Sequence, residues 1–176
     1  MRALVVYESM FGNTKRIALA IADGIGTRMP AQAIEVADAV EEIPDDVDLL
    51  VVGGPTHVHG MSSTKTRATA AERTSQPLVS QRFGIREWLD RAHPALYEVP
   101  AAAFDTRVGG PVILTGSAAK GFTRGLRSAG FRVVEPPHSF IVGSRTPPED
   151  DALLDGELDR ARAWGETLVA RMPARV

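Results

Sequence analysis

Residues 5–14 read Val5-Val6-Tyr7-Glu8-Ser9-Met10-Phe11-Gly12-Asn13-Thr14, and the rest of the chain is best read outward from them. The stretch opens inside residues 3–7, which are apolar at every position. A strand without a polar face is covered on both sides, as in a parallel sheet with helices above and below. Beyond the stretch, Ile17, Ile21 and Ile25 recur every four residues and place one apolar stripe on a helix running from Asn13 to about residue 28. Between strand and helix lie hydroxyl, small and glycine residues. The first N–H groups of a helix have no partner within it, and together with the helix dipole they attract anions. Ser9 and Thr14 add hydroxyl donors, Asn13 adds a side-chain amide, and Gly12 allows a backbone shape that a β-carbon would obstruct. Such a turn suits a phosphate monoester held by neutral donors. The same composition also serves as a plain helix cap.

The pattern repeats along the chain. Short strands are expected at residues 32–36, 48–53 and 99–104, and a fifth strand falls in two pieces, 131–134 and 139–142, interrupted at Pro136-Pro137. Between them, Ile85, Trp88, Leu89 and Ala92 mark one helix, with Pro94 as its stop signal. Ala118, Phe122, Leu126 and Ala129 mark another, closed by Gly130. Leu154, Leu158, Ala161, Trp164 and Leu168 give the inner face of a last helix from about 151 to 171. Five strands alternating with helices predict a doubly wound α/β sandwich in one domain spanning residues 1–176. Residues 60–82 carry little apolar periodicity and are expected to be a loop insertion, either a mobile surface loop or a lid.

Composition removes whole classes of function. The 176 residues carry 20 Lys+Arg against 22 Asp+Glu, so bulk positive charge cannot drive binding to nucleic acid. Cysteine is absent, which excludes thiol catalysis and Cys-based clusters or zinc sites. The apolar start is too short for a signal peptide and no window approaches a membrane span, so a cytoplasmic protein is expected. Charge is segregated all the same. Seven acids and no base fall between Glu35 and Asp48, whereas residues 60–92 hold six bases against three acids. These are either solvated faces or surfaces that steer a partner.

Familiar phosphate motifs are missing. Gly12-Asn13-Thr14-Lys15 lacks the two-glycine frame of a P-loop, and Gly24 and Gly26 fall at the far end of the first helix, where they read as termination. A phospho-acceptor receiver domain needs an Asp ending the third strand, where this chain has Gly53-Gly54-Pro55. In a parallel α/β sheet ligands bind beyond the carboxyl ends of the strands, where strand order reverses. That focuses attention on the turns after strands one, three and four. His57 and His59 have no third ligand beside them, so no metal site is expected. His93 and His138, next to prolines, read as structural, and Trp88 and Trp164, on helical stripes, as core.

Residues 5–14 resemble the phosphate-binding loop of the flavodoxins, and Leu49-Leu50-Val51-Val52-Gly53-Gly54-Pro55-Thr56 is similar to the third strand of flavodoxin-like proteins, including the FMN-dependent quinone reductases. The resemblance implies a flavodoxin-like three-layer sandwich, a five-stranded parallel sheet in order 2-1-3-4-5, and non-covalent FMN. By carry-over, Ser9, Met10, Phe11, Gly12, Asn13 and Thr14 would hold the 5′-phosphate. Pro55, Thr56, His57, Val58, His59 and Gly60 would lie against the isoalloxazine ring, with His59-Gly60 where flavodoxins place an aromatic residue and a glycine. Asp105, Thr106 and Arg107 would form a third loop, without the Tyr that often stacks there. The function so implied is electron transfer between partner proteins. The alternative is an FMN-dependent oxidoreductase taking electrons from NAD(P)H to a quinone, with the 62–82 stretch as a lid or a grip on an anionic nucleotide.

Overall fold

The structure is a computed structural model, described here for residues 1–143 and 152–172. Its main sheet is parallel throughout. Strand β1 (Arg2–Tyr7) lies between β2 (Ala31–Glu35) and β4 (Val47–Pro55), followed by β6 (Pro100–Val108). The last position is shared by β7 (Arg132–Val133), which pairs with the start of β6, and β8 (His138–Val142), which pairs with its end. Prolines cannot donate to a ladder, so Pro136-Pro137 divides one edge strand into two pieces. Counting those pieces as one strand, the order is the expected 2-1-3-4-5. A separate two-stranded ribbon joins β3 (Glu42–Ile43) to β5 (His93–Pro94), so Pro94, expected to stop the preceding helix, is the last residue of a strand, and that helix already ends at Leu89.

Side-chain alternation splits each central strand between two cores. Ala3 and Val5 of β1, Leu49 and Val51 of β4, and Ala102 and Phe104 of β6 face α1 (Asn13–Gly26) and α6 (Glu157–Ala170). Leu4 and Val6, Leu50 and Val52, and Ala101 and Ala103 face α3 (Ile85–Leu89) and α5 (Ala118–Ser128). All twelve residues are buried, which is why these strands read as continuous apolar runs. The alanines of β6 leave room for the fully buried Trp88 and Phe122 on one face. On the other, Trp164 packs edge-on against Phe104 and Phe140 and stacks on His138 at 5.0 Å.

Several expectations need correcting. Gly24 does not merely end α1. A β-carbon there would lie 2.0 Å from the Arg162 carbonyl oxygen, and one on Gly165 would lie 2.4 Å from that of Ile21. The two glycines let α1 and α6 touch backbone to backbone. Helix α6 begins at Glu157, so Leu154 precedes it and is exposed, not on its inner face. The expected helix start at Asp151 lies outside the described residues. Strand β6 runs to Val108, so Asp105, Thr106 and Arg107 belong to the strand and the loop begins at Gly109. Residues 60–82 are not one long loop either, because they contain α2 (Thr64–Glu72). Among the described residues, no helix is long and apolar enough to cross a membrane.

Candidate functional site

Strand order reverses at β1, whose two neighbours lead away in opposite directions, and a crevice opens beyond the strand ends there. The turn after β1 is the one the sequence singles out. Gly12 sits at φ +99°, the left-handed conformation that favours glycine, and starts α1 without a side-chain cap. The buried Ser9 hydroxyl oxygen accepts from the Gly12 N–H at 3.2 Å and the Lys15 N–H at 3.3 Å, which fixes the turn from inside. The Thr14 and Thr106 hydroxyls share a 2.7 Å hydrogen bond that ties the start of α1 to β6. Whichever of the two donates, the other keeps a proton to offer.

A cavity of about 130 Å³ opens at this junction. Ser9, Met10, Phe11, Asn13 and Thr14 line it from the first turn; Pro55, Thr56 and His57 line it from the end of β4 and the turn beyond; Thr106 and Arg107 line it from β6. A water occupies about 30 Å³ in the liquid, so the space suits a phosphate-sized group. The Arg107 guanidinium turns aside, donating to the Gly110 carbonyl at 3.0 Å and, at the end of the short helix α4 (Val112–Thr115), to the Thr115 hydroxyl at 2.8 Å. Its Nε is buried without a partner among the described residues. Asp105 stands behind the wall. One of its oxygens accepts from Ser117 Oγ (2.6 Å), the Ala119 N–H (2.9 Å) and Thr56 Oγ1 (3.2 Å), so it fixes the start of α5.

The segment after β4 forms a tight hairpin. The His57 N–H donates to the Gly60 carbonyl at 2.8 Å and the Gly60 N–H donates back at 3.0 Å. Val58 and His59 occupy the two central positions with φ +43° and +72°, the pattern of a type I′ turn that usually takes Asn-Gly. Holding a β-branched residue left-handed costs roughly 1–2 kcal/mol, and such strain gathers at functional sites. The turn pushes Val58 into solvent at 81% exposure. His57, Val58 and Phe11 form one wall of a second, wider cleft of about 650 Å³, and α2 forms the other wall with Lys65, Thr66, Thr69 and Arg73. Burial holds the His57 imidazole below its usual range, aided by the positive charges of Arg67 and Arg73, so it is neutral at pH 7.

Sequence reasoning missed what fastens α2 in place. Glu8 is fully buried and its carboxylate accepts from the Ser62 hydroxyl and from the Ile85 N–H at 2.9 Å. Arg67, also buried, reaches Glu87 at 2.7 Å and stands 4.0 Å from Glu8. Burial still dominates at Glu8 and raises its pKa. Ser63 caps α2 in a reciprocal capping box with Thr66. Further on, Ser80 pairs with the first turn: its hydroxyl accepts from the Ser9 N–H at 2.9 Å and its own N–H donates to the Ser9 carbonyl at 2.8 Å. Met10, Ala70 and Leu78 close a small core between them. The Ser63-x-x-Thr66 spacing and the charge of Glu8 directly after the apolar run 3–7 were the available signals.

Fold and site together define an α/β protein with an anion-sized crevice at the reversal point of a parallel sheet. No family model and no curated protein matches the chain. Solved structures do. A flavodoxin from the domain Archaea is 22% identical with a TM-score of 0.65, covering 97% of this chain and 98% of that one. Oxidised Flavodoxin 1 from Bacillus cereus is 19% identical with a TM-score of 0.66, covering 98% and 100%. A flavodoxin, WrbA-like protein from Agrobacterium tumefaciens is 19% identical with a TM-score of 0.56, covering 96% and 95%. The chain has the flavodoxin-like fold.

Proposed function

We propose that this protein binds FMN non-covalently and carries electrons between partner proteins in the cytoplasm. The observation that carries the reading is the first turn, where a left-handed Gly12, an α1 start without a side-chain cap, and the Ser9 and Thr14 hydroxyls meet at a phosphate-sized cavity. The donor set fits a phosphate dianion. The donors of the first turn are neutral, the Thr14–Thr106 pair retains one proton, and the unpartnered Nε of the cationic Arg107 belongs to a residue of the same wall. The likeness in fold to flavodoxins supports the choice of cofactor. FMN, when bound, supplies the redox chemistry.

This chain's own residues bind, orient and shield. Ser9 and Thr14 would hold the phosphate, with Met10, Phe11 and Asn13 beside it, and His57, Val58 and Phe11 would provide flat or apolar walls for the ring. Neutral His57 offers a ring nitrogen without adding a charge. Asp105 acts at one remove, by fixing Thr56 and the start of α5. A second reading, an NAD(P)H-dependent reductase acting on quinones, is favoured by the wide cleft facing Lys65 and Arg73. The visible absorption of the purified protein tests the cofactor. Mixing the yellow protein with NADH or NADPH without oxygen then separates the readings: no bleaching over minutes supports the carrier, and bleaching within seconds supports the reductase.

A further inference from the structure

We infer that the mouth of the wide cleft is a docking surface for a protein that presents a carboxylate-rich patch, although the chain as a whole is slightly acidic. The inference rests on the electron-carrier reading for the nature of that partner, but its evidence is electrostatic. Lys65 on α2 and Arg73, the residue capping its C-terminus, both line the cleft, eight positions apart, which is about 12 Å along the helix axis. Both are exposed, and neither forms an ion pair among the described residues. The positive charge of Arg73 reaches the opposite wall, where it helps to hold His57 neutral.

Among the described residues, the acids at this end of the sheet offset them only in part, the nearest being Glu72, exposed on α2 beside Arg73. Glu8 and Asp105 are buried, Glu35 accepts from the Ser80 hydroxyl and the Ala37 N–H, and Asp38 faces Arg82 at 3.9 Å. Asp45, Asp46 and Glu98 sit before β4 and β6, at the opposite end of the strands. Asp46 is paired with Arg2 and Glu98 with Arg132, so the charge that orients an approaching acidic partner is the local excess of Lys65 and Arg73 over Glu72 at the cleft mouth. Across the cleft from the cations stand two exposed apolar side chains, Val58 and Phe11 at 41%, and Leu114 at 68% exposure flanks Val58 in the neighbouring depression. An apolar centre with a charged rim is the composition of a transient protein interface.

The test is a titration of the purified chain, with and without flavin, against two protein probes: a plant-type ferredoxin as the acidic one and a c-type cytochrome as the basic one. The expected result is that the ferredoxin binds more tightly than the cytochrome at low salt. Its affinity should fall at least ~10-fold between about 10 and 300 mM NaCl, as the screening length shrinks several-fold. The double variant Lys65→Glu, Arg73→Glu, checked for an unchanged melting curve, should lose at least ~10-fold in ferredoxin affinity and gain affinity for the cytochrome. Preference of the parent for the cytochrome, or an affinity indifferent to salt and to both substitutions, overturns the inference. So does binding of NADPH with no ferredoxin binding, because the cleft is then a small-molecule site. A chain that takes up no flavin yet binds ferredoxin in this way refutes the cofactor and leaves the surface standing.

Discussion

Two hydroxyls and one carboxyl govern the first turn. Ser9 Oγ accepts two backbone N–H bonds from the turn it would present to a phosphate, so Ser9→Ala removes a donor and loosens the frame together. Thr14→Val removes another donor and leaves the buried Thr106 hydroxyl without its partner. Each change is expected to weaken FMN by about 1–3 kcal/mol, read as the dissociation constant in a fluorescence titration; an unchanged constant would contradict the assignment. Glu8 lies beneath, with a pKa raised by burial. A raised carboxyl pKa means that the folded chain holds a proton which the unfolded chain releases. Glu8 therefore favours folding at low pH, and this contribution is lost as pH rises through its folded pKa. Comparing urea midpoints as pH rises from about 5, the parent should lose ground to Glu8→Gln until the folded pKa is passed, and the difference should then level off. A pH-independent difference would mean that Arg67 already compensates the charge.

At the scale of elements, α2 is the helix that sequence patterning hides. Only Arg67 and Ala70 of this helix are buried, so its apolar pattern is too sparse to announce it. Arg67 substitutes for the missing core by lying between Glu87 and Glu8. Arg67→Ala would strand a fully buried carboxyl and a half-buried one, a loss of about 3–5 kcal/mol measured by chemical denaturation, with the cleft wall released at the same time. A loss below about 1 kcal/mol would assign α2 to a loosely tethered flap. The helices with regular apolar stripes, α1 and α5, were legible because burial alone places them. The register of the third loop was not, since Asp105 and Thr106 are polar residues buried inside a strand and held there by tertiary hydrogen bonds invisible in sequence. The hairpin at Val58-His59 was equally hidden, because it places side chains where turn chemistry asks for Asn-Gly.

For the whole molecule, continuous apolar strands and alternating helices specify three layers, and the parallel order puts one crevice at the reversal point. The first turn could be placed there from sequence because its residue types carry their own chemistry. The second wall of the cleft could not, because α2 is held by long-range ion pairs rather than by periodicity. The claim on which the account depends is that the turn opening α1 seats a phosphate dianion. Parallel fluorescence titrations of the flavin-free protein with FMN and with riboflavin, which lacks that phosphate, test it most directly. The account predicts one equivalent of FMN bound with strong quenching, and riboflavin bound at least ~10-fold more weakly, the equivalent of about 1.4 kcal/mol or more from the phosphate. Equal affinity for the two flavins, or no quenching by either, would contradict it.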